Sequence, residues 1–397
     1  MMSFSKKVDR IEESQTIAIT SLAKKLRSEG KNIISLSAGE PDFPTPENIK
    51  QAAIKAIENN FTKYTQNEGI PELREAVADK FRRENGLKVE ASNILISSGG
   101  KHSIFNALQA ICDPGDEVII PAPYWVSFPE MVKLADGVPV ILKTTEASGF
   151  TFDAQDVERL VTARTKAIII NTPSNPTGAV ISEESLRGIA ALARKRGFYI
   201  ISDEIYEKII YDGNKHFSVG SISEAGDHVI TASGVSKAYS MTGWRIGFLA
   251  AGHEVISRAA KIQSQVTSNA SSVSQAAALE ALRGTQTEIE KMRVAFQNRR
   301  DILFARLSGI KGLTLSKPGG AFYFFPSIKG LVGKRHGGRI LKNSADVAEF
   351  ILAEAQVALV PGTAFGSEDH IRISYAYSEK ELTEAATRIE ESISRLK

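Results

Sequence analysis

Lys237 stands in the run SGVSKAYSMTGWRIG, Ser233–Gly247, where Gly234, Ser236, Ser240 and Gly243 leave its amine uncrowded and Arg245 follows eight residues on. A lysine amine condenses with carbonyls to an imine, and a hydroxyl with a guanidinium suits phosphate oxygens. The run therefore fits a flat, phosphorylated carbonyl compound; a solvated surface lysine is the plain alternative. A second run, Ser98-Gly99-Gly100-Lys101, lies between a β-branched stretch and a helical pattern. Free amides at a helix start, with glycines permitting close approach, make an anion cup. Asp203 closes another apolar stretch and opens SDEIYE, a place that would also suit a helix N-cap.

Other chemistries find no support. No GxGxxG follows a strand pattern, and Gly99-Gly100-Lys101-His102 lacks both the upstream glycine (Leu95 stands there) and the hydroxyl residue of a nucleotide-phosphate loop. The six histidines show no HExxH or close pairing, so no metal site is expected. The single Cys112 ends a largely apolar stretch and reads as an inert, buried thiol. Lys plus Arg exceed Asp plus Glu by 49 − 46 = 3, too little for a nucleic-acid-binding chain. The N-terminal residues carry charges but no apolar signal core, and no apolar run reaches membrane-spanning length. A soluble, cytoplasmic protein without nucleic-acid or membrane partners is expected.

The elements that must position these groups alternate. Asn93–Ser97 leads into a helical pattern over Lys101–Ile111, and Glu117–Ile120 into Trp125–Leu134. Lys166–Ile170 precedes the helical Ser182–Lys195, and Phe198–Ser202, Val229–Ala232 and Arg245–Ala250 continue the strands. Such alternation predicts an α/β fold with a mostly parallel sheet covered on both faces, and ligands bind along its strand ends. After Glu254, helical patterns run to Gly284 and over Thr287–Leu307. Short strands (Phe322–Phe325, Val357–Val360, Ile371–Ser374) and a closing helix from Ser378 predict a smaller α+β domain. Gly39–Pro46 reads as a hinge or lining segment.

Taken whole, Ser233–Gly247 resembles the pyridoxal-phosphate attachment segment of class I aminotransferases. The likeness extends through AGEPDFPTPE (Ala38–Glu47), YTQNEGIPELREA (Tyr64–Ala76), PGDEVIIPAPYW (Pro114–Trp125), NTPSNPTG (Asn171–Gly178), SDEIYE (Ser202–Glu207), PGGAFYFFP (Pro318–Pro326) and HIRISYA (His370–Ala376). It is nearest to the aspartate/prephenate branch. The resemblance implies a fold-type I pyridoxal-phosphate-dependent transferase with a seven-stranded-type large-domain sheet. Expected divisions are 1–46 as a segment packing with the small domain, 47–290 as the large cofactor domain and 291–397 as the small one.

It also implies roles. Lys237 would form the imine with pyridoxal 5'-phosphate and shuttle the substrate's α-proton, and Asp203 would keep the ring nitrogen protonated. Asn175 and Tyr206 would hydrogen-bond the phenolic oxygen, and Trp125 would stack on the ring. Gly99, Gly100, Lys101, Ser236 and Arg245 would hold the phosphate, with Tyr64 reaching the phosphate of a neighbouring subunit in a homodimer. Arg372 would grip the substrate carboxylate, Gly39 would line the site, and Lys101 and Thr16 would meet the substrate's distal end. Aspartate and 2-oxoglutarate are the expected substrates in amino-acid biosynthesis. Prephenate stays open, because Glu12-Glu13 stands where relatives often carry a basic residue. A lyase or another amino-acid specificity on the same fold is the alternative, separable by keto-acid dependence. A transcriptional regulator on such a domain would need a DNA-binding module, for which the stretch before Gly39 has no room.

Overall fold

The computed structural model describes residues 4–397; the first three residues of the N-terminal segment lie outside the described part. In chain order the strands are β1 (Ile34–Ser35), β2 (Ile94–Ser97), β3 (Glu117–Ala122), β4 (Val138–Lys143), β5 (Thr165–Asn171), β6 (Tyr199–Asp203), β7 (Val229–Gly234) and β8 (Gly247–Ala250). All but β1 form one seven-stranded sheet of order β2-β8-β7-β6-β5-β3-β4. Only β8 runs against its neighbours β2 and β7; the other pairings are parallel.

Parallel strands buried on both faces need apolar residues at every position rather than at alternate ones, which the Ile- and Val-rich runs supply. Period-two alternation then sends Val118, Ile120, Ile169 and Ile201 into one core and Ile119, Ile168, Ile170 and Ile200 into the opposite one. Helix Gly100–Ile111, with Ser127–Leu134 and His253–Val266, covers the first face, and Glu183–Arg196 covers the second. Ser182 caps that last helix through the Ser185 amide, and Gly197, at φ +77°, ends it.

The remaining strands form smaller units. β9 (Tyr323–Phe324), β13 (Val360–Pro361) and β14 (Ile371–Ser374) make an antiparallel sheet with β14 in the middle. β10 (Arg335–His336) and β11 (Arg339–Ile340) form a hairpin, and β12 (Val357–Ala358) pairs in parallel with β1. The chain closes with helix Glu379–Ser394, started by a capping box between Ser378 and Glu381.

Three expectations change in detail. The helical pattern from Glu254 to Gly284 is two helices, His253–Val266 and Ser272–Arg283, because Ser268 turns left-handed (φ +58°) and Ser271 caps a new start. The expected strand Val357–Val360 divides between two sheets at Leu359. The expected strands did not include β4, whose Pro139 sits at the sheet edge, where a missing amide costs little.

Candidate active site

The parallel strands β2, β3, β5, β6 and β7 all end at the same edge, so the residues that follow them converge there. Gly100 and Lys101 follow β2, Trp125 follows β3, Asn175 follows β5, and Ser236 and Lys237 follow β7, while Asp203 is the last residue of β6. Arg245 instead precedes its strand. The reversed direction of β8 brings that strand's beginning to the edge where the others finish. Together with Thr16, Gly39, Tyr206 and Arg372 these residues line one cavity of about 260 Å³. Of the expected site residues, Tyr64 and Gly99 are outside its wall.

Gly99 acts one step back. A methyl group there would overlap the Arg245 guanidinium, whose Nη2 lies 3.4 Å from the Ser98 carbonyl. The cup is narrower than the run Ser98–Lys101 implies: the Ser98 amide donates to His102 Nδ1 at 3.2 Å and the Gly99 amide to the Ser97 carbonyl. The amides of Gly100 and Lys101, first in their helix, have no intrahelical acceptor and are free for an anion. Tyr64 is 92% exposed.

The Lys237 ammonium donates to the Gly39 carbonyl at 2.7 Å. Burial, against the opposing pull of Glu40 and with the nearby cations Arg372 and Arg245, brings its pKa down to about 8. Asp203 is driven the other way, to about 7, by burial, which outweighs a 3.2 Å hydrogen bond from the Ile205 amide and the attraction of Lys237. The Tyr206 hydroxyl shares a 2.7 Å hydrogen bond with that of Tyr323, and burial and this neighbour keep it protonated far above the ordinary range.

Arg372, from the middle strand β14, is fully enclosed: Nη1 donates to Asn175 Oδ1 at 3.0 Å, and Nη2 to the Ser37 carbonyl. Its guanidinium lies over Tyr323 at 4.6 Å and Phe365 at 4.9 Å. Its Nε is buried with no partner, as is the Thr16 hydroxyl. The Lys101 ammonium stands 5.0 Å over the Trp125 ring; desolvation and the Arg245 charge lower its pKa. Sequence reasoning overlooked Tyr323, Asn171, Ile205 and Thr242, which also line the cavity. All four carried a signal, Tyr323 by its place in PGGAFYFFP, Asn171 in NTPSNPTG, Ile205 in SDEIYE and Thr242 in the Lys237 run, although the resemblance assigned none of them a role. Glu12 and Glu13 are exposed and line a neighbouring cavity that meets this one at Lys101. Burial raises the Cys112 thiol to about 12, and it takes no part.

Four cations, Lys101, Lys237, Arg245 and Arg372, face one buried carboxylate in this wall, so the cavity is built for polyanions. The residues fit pyridoxal phosphate on features of the protein itself: two free helix-start amides beside Ser236 and Arg245, a buried carboxylate short of a cationic partner, and an amine poised near neutrality.

A lysine, a buried aspartate and an anion cup at the strand ends of such a sheet define an enzyme that works on amine and carbonyl groups. The aminotransferase class I and II family model matches residues 31–389, and the chain belongs to that family. It is 47% identical to a probable aspartate/prephenate aminotransferase of Rickettsia bellii over 100% of both chains. An aspartate/prephenate aminotransferase of Cereibacter sphaeroides is 46% identical over 98% of each. Among solved structures, the aspartate aminotransferase from Thermus thermophilus with maleate superposes with a TM-score of 0.94 at 44% identity, covering 99% of this chain and 100% of that one. The aspartate aminotransferase from Rhizobium meliloti gives 0.96 at 42% identity, over 100% of both.

Proposed function

We propose that the protein transfers the amino group of L-aspartate to 2-oxoglutarate in two half-reactions, using pyridoxal 5'-phosphate held by Lys237. The observation that carries this is the enclosed Arg372 in a cavity wall of excess positive charge: among the described residues its guanidinium donates to Asn175 Oδ1 and the Ser37 carbonyl and is paired with no carboxylate. When bound, the cofactor supplies an aldehyde that condenses with amines and a protonated ring that accepts the electron pair released at the substrate α-carbon. Every other task falls to the chain. The Gly100 and Lys101 amides, Ser236 and Arg245 hold the phosphate. Asp203 would hold the proton on the ring nitrogen, and the cation there would offset the burial that raises the Asp203 pKa.

Asn175 and Tyr206 donate toward the phenolic oxygen, and Trp125 covers the ring. Arg372 binds the α-carboxylate and so aligns the α-hydrogen. Lys237, neutral above about pH 8, would take that proton from the substrate α-carbon as general base. Lys101, with Thr16 beside it, binds the distal carboxylate. Gly39 accepts the lysine's hydrogen bond and closes the wall. This favours dicarboxylates; the exposed Glu12 and Glu13 next door leave prephenate as the substrate to be tested beside them.

Exposure of Tyr64 supports a homodimer in which it completes the partner's phosphate site. The chain then divides into a segment, 1–46, a large domain, 47–290, and a small one, 291–397; pairing of β1 with β12 supports the segment's docking on the small domain. Among the described residues no helix is long and apolar enough to cross a membrane, which supports a cytoplasmic enzyme. The deciding experiment is borohydride trapping with peptide mapping, joined to a paired assay of aspartate, glutamate and prephenate. A label at Lys237 and turnover of aspartate that requires a keto acid are expected. A label elsewhere removes the cofactor assignment, and turnover independent of keto acid moves the enzyme to lyase chemistry.

A further inference from the structure

Behind the Asp203–Tyr206 turn lies a closed group of charged side chains that the proposed reaction does not use. Glu204, fully buried, accepts four donors: Ser202 Oγ at 2.9 Å, Ser218 Oγ at 2.7 Å, Asn85 Nδ2 at 3.1 Å and His216 Nε2 at 2.9 Å. Glu207 accepts from Asn85 Nδ2 at 2.6 Å, from Ser233 Oγ at 3.0 Å and from the Lys80 ammonium. Lys80, 3% exposed, also donates to Asn85 Oδ1 at 2.7 Å. Glu204, Glu207 and His216 offer ligand atoms within 4.8 Å of one another. A metal ion there would have to displace the Lys80 ammonium, which already serves Glu207 and Asn85.

Charge decides what the group is. Two carboxylates and one ammonium leave a net charge of −1 in a largely buried region, where Glu204 is 0% and Lys80 3% exposed, and a buried unpaired charge is strongly unfavourable. A protonated His216 makes the group neutral. The lysine link holds Glu207 low, to about 2, against its burial. The titratable and charged groups facing His216 are Glu204, Glu207 and Lys80; the two carboxylates raise its pKa against the effects of burial and of the lysine. Lys208 and Glu84, paired at 2.8 Å, form a more open pair beyond Lys80.

The group ties together the parts of the chain that carry the chemistry. Glu204 lies within the turn between Asp203 and Tyr206 and Glu207 follows it; Ser233 begins the Lys237 run; Lys80 ends helix Pro71–Lys80 and Asn85 ends the π-helical segment Phe81–Asn85 after it. We propose that His216, as the imidazolium, is a positioning residue that completes a neutral buried quartet with Lys80, Glu204 and Glu207, and that this quartet fixes the Asp203 turn against the strand leading to Lys237. Glu204 is adjacent to Asp203 and its charge pushes the Asp203 proton affinity upward. Leaving Glu204 uncompensated would therefore weaken the anion that must hold the ring nitrogen's proton. This rests on the proposed function for its consequence but not for its geometry.

The test begins on the wild-type chain without cofactor, ring-labelled at its six histidines and titrated by NMR, with the resonance assigned by substituting the other histidines one at a time. His216 is expected to keep its proton to higher pH than an ordinary histidine, whose pKa is 6.5; a ring that loses it at or below that value overturns the proposal. Next, pyridoxal phosphate affinity is measured for His216→Gln and for the charge-balanced pair Glu204→Gln/His216→Gln. A loss of about tenfold in the single variant, with recovery to within about threefold in the pair, supports the quartet; equal losses overturn it. Calorimetry with zinc alone should show no binding at this group, and uptake abolished by Glu207→Gln overturns it too. If the wild-type chain takes up no pyridoxal phosphate, the functional reading fails while the histidine titration still decides the quartet.

Discussion

The Lys237 ammonium is held at 2.7 Å by the carbonyl of Gly39, a residue 198 positions earlier in the chain. It is one of several hydrogen bonds that join the N-terminal segment to the run that follows β7, with Thr45 Oγ1 donating to the Ser240 carbonyl at 2.7 Å and Trp244 Nε1 to Thr45 Oγ1 at 3.0 Å. The fit depends on the absence of a side chain, since a methyl group on Gly39 would collide with the Tyr323 hydroxyl that Tyr206 shares. Gly39→Ala should therefore lower stability by about 1–3 kcal/mol, the usual cost of overpacking, and weaken cofactor binding. Thermal unfolding with and without pyridoxal phosphate measures both, and an unchanged melting temperature in both states contradicts the assignment.

Asp203→Asn should remove activity and yet stabilise the cofactor-free chain at alkaline pH. The folded carboxyl, at about 7, binds its proton more tightly than the unfolded one at 3.8. Stability is then lost as pH rises from about 4 to 7, and the full penalty persists above that. Removing it should gain on the order of 2–4 kcal/mol at pH 8 and nothing below pH 4. Urea unfolding of both proteins at the two pH values gives the comparison.

Capture of pyridoxal phosphate needs a neutral Lys237, whose pKa is about 8. The rate of capture by the cofactor-free enzyme should rise nearly tenfold per pH unit up to that value and then level off. For stability the sign is opposite to that of Asp203: between about 8 and 10.5 the unfolded lysine binds more protons, so stability increases with pH there. Stopped-flow absorbance checks the rate, and a plateau beginning near pH 10 would identify an ordinary lysine.

Arg372→Ala should raise KM for every amino acid tested, by roughly 10- to 150-fold, matching about 1.5–3 kcal/mol for charged hydrogen bonds. It also strips Asn175 and the Ser37 carbonyl of their donor. Lysine is not expected to restore binding, because it lacks the planar fork. Steady-state kinetics across aspartate, glutamate and alanine provide the measurement; a KM constant through the series places the carboxylate elsewhere.

Lys101→Ala should discriminate. Its ammonium is lifted over Trp125 and crowded by Arg245, and the proposed function gives it the distal end of the substrate. The variant should lose about tenfold or more in kcat/KM for aspartate and little for alanine, about 1.4 kcal/mol of selective binding. Equal losses for the two amino acids would assign Lys101 to the cofactor phosphate alone.

Much of this was legible without coordinates because its causes are local. The β-branched runs that become β3, β5 and β6, the serine caps at Ser182 and Ser378, and the order of the motif residues each depend on neighbours in sequence. Strand β4 and the break near Ser268 were not legible, since an edge position and a left-handed turn are set by surroundings rather than composition. Tyr323 stood in a quoted motif, but the task of its hydroxyl was not legible, because it depends on Tyr206, far away in the chain, facing it.

By itself, then, the sequence determined which groups are present and which strand each one follows, for a strand's end and a small-residue gap are written in consecutive letters. Only the tertiary structure decided that Arg245 joins the others by preceding a reversed strand, that the Ser98 amide is already taken by His102, and that Arg372 keeps one nitrogen free. Those outcomes depend on strand direction, on competition for donors and on exclusion of water. None is a property of any residue until the chain has closed around it.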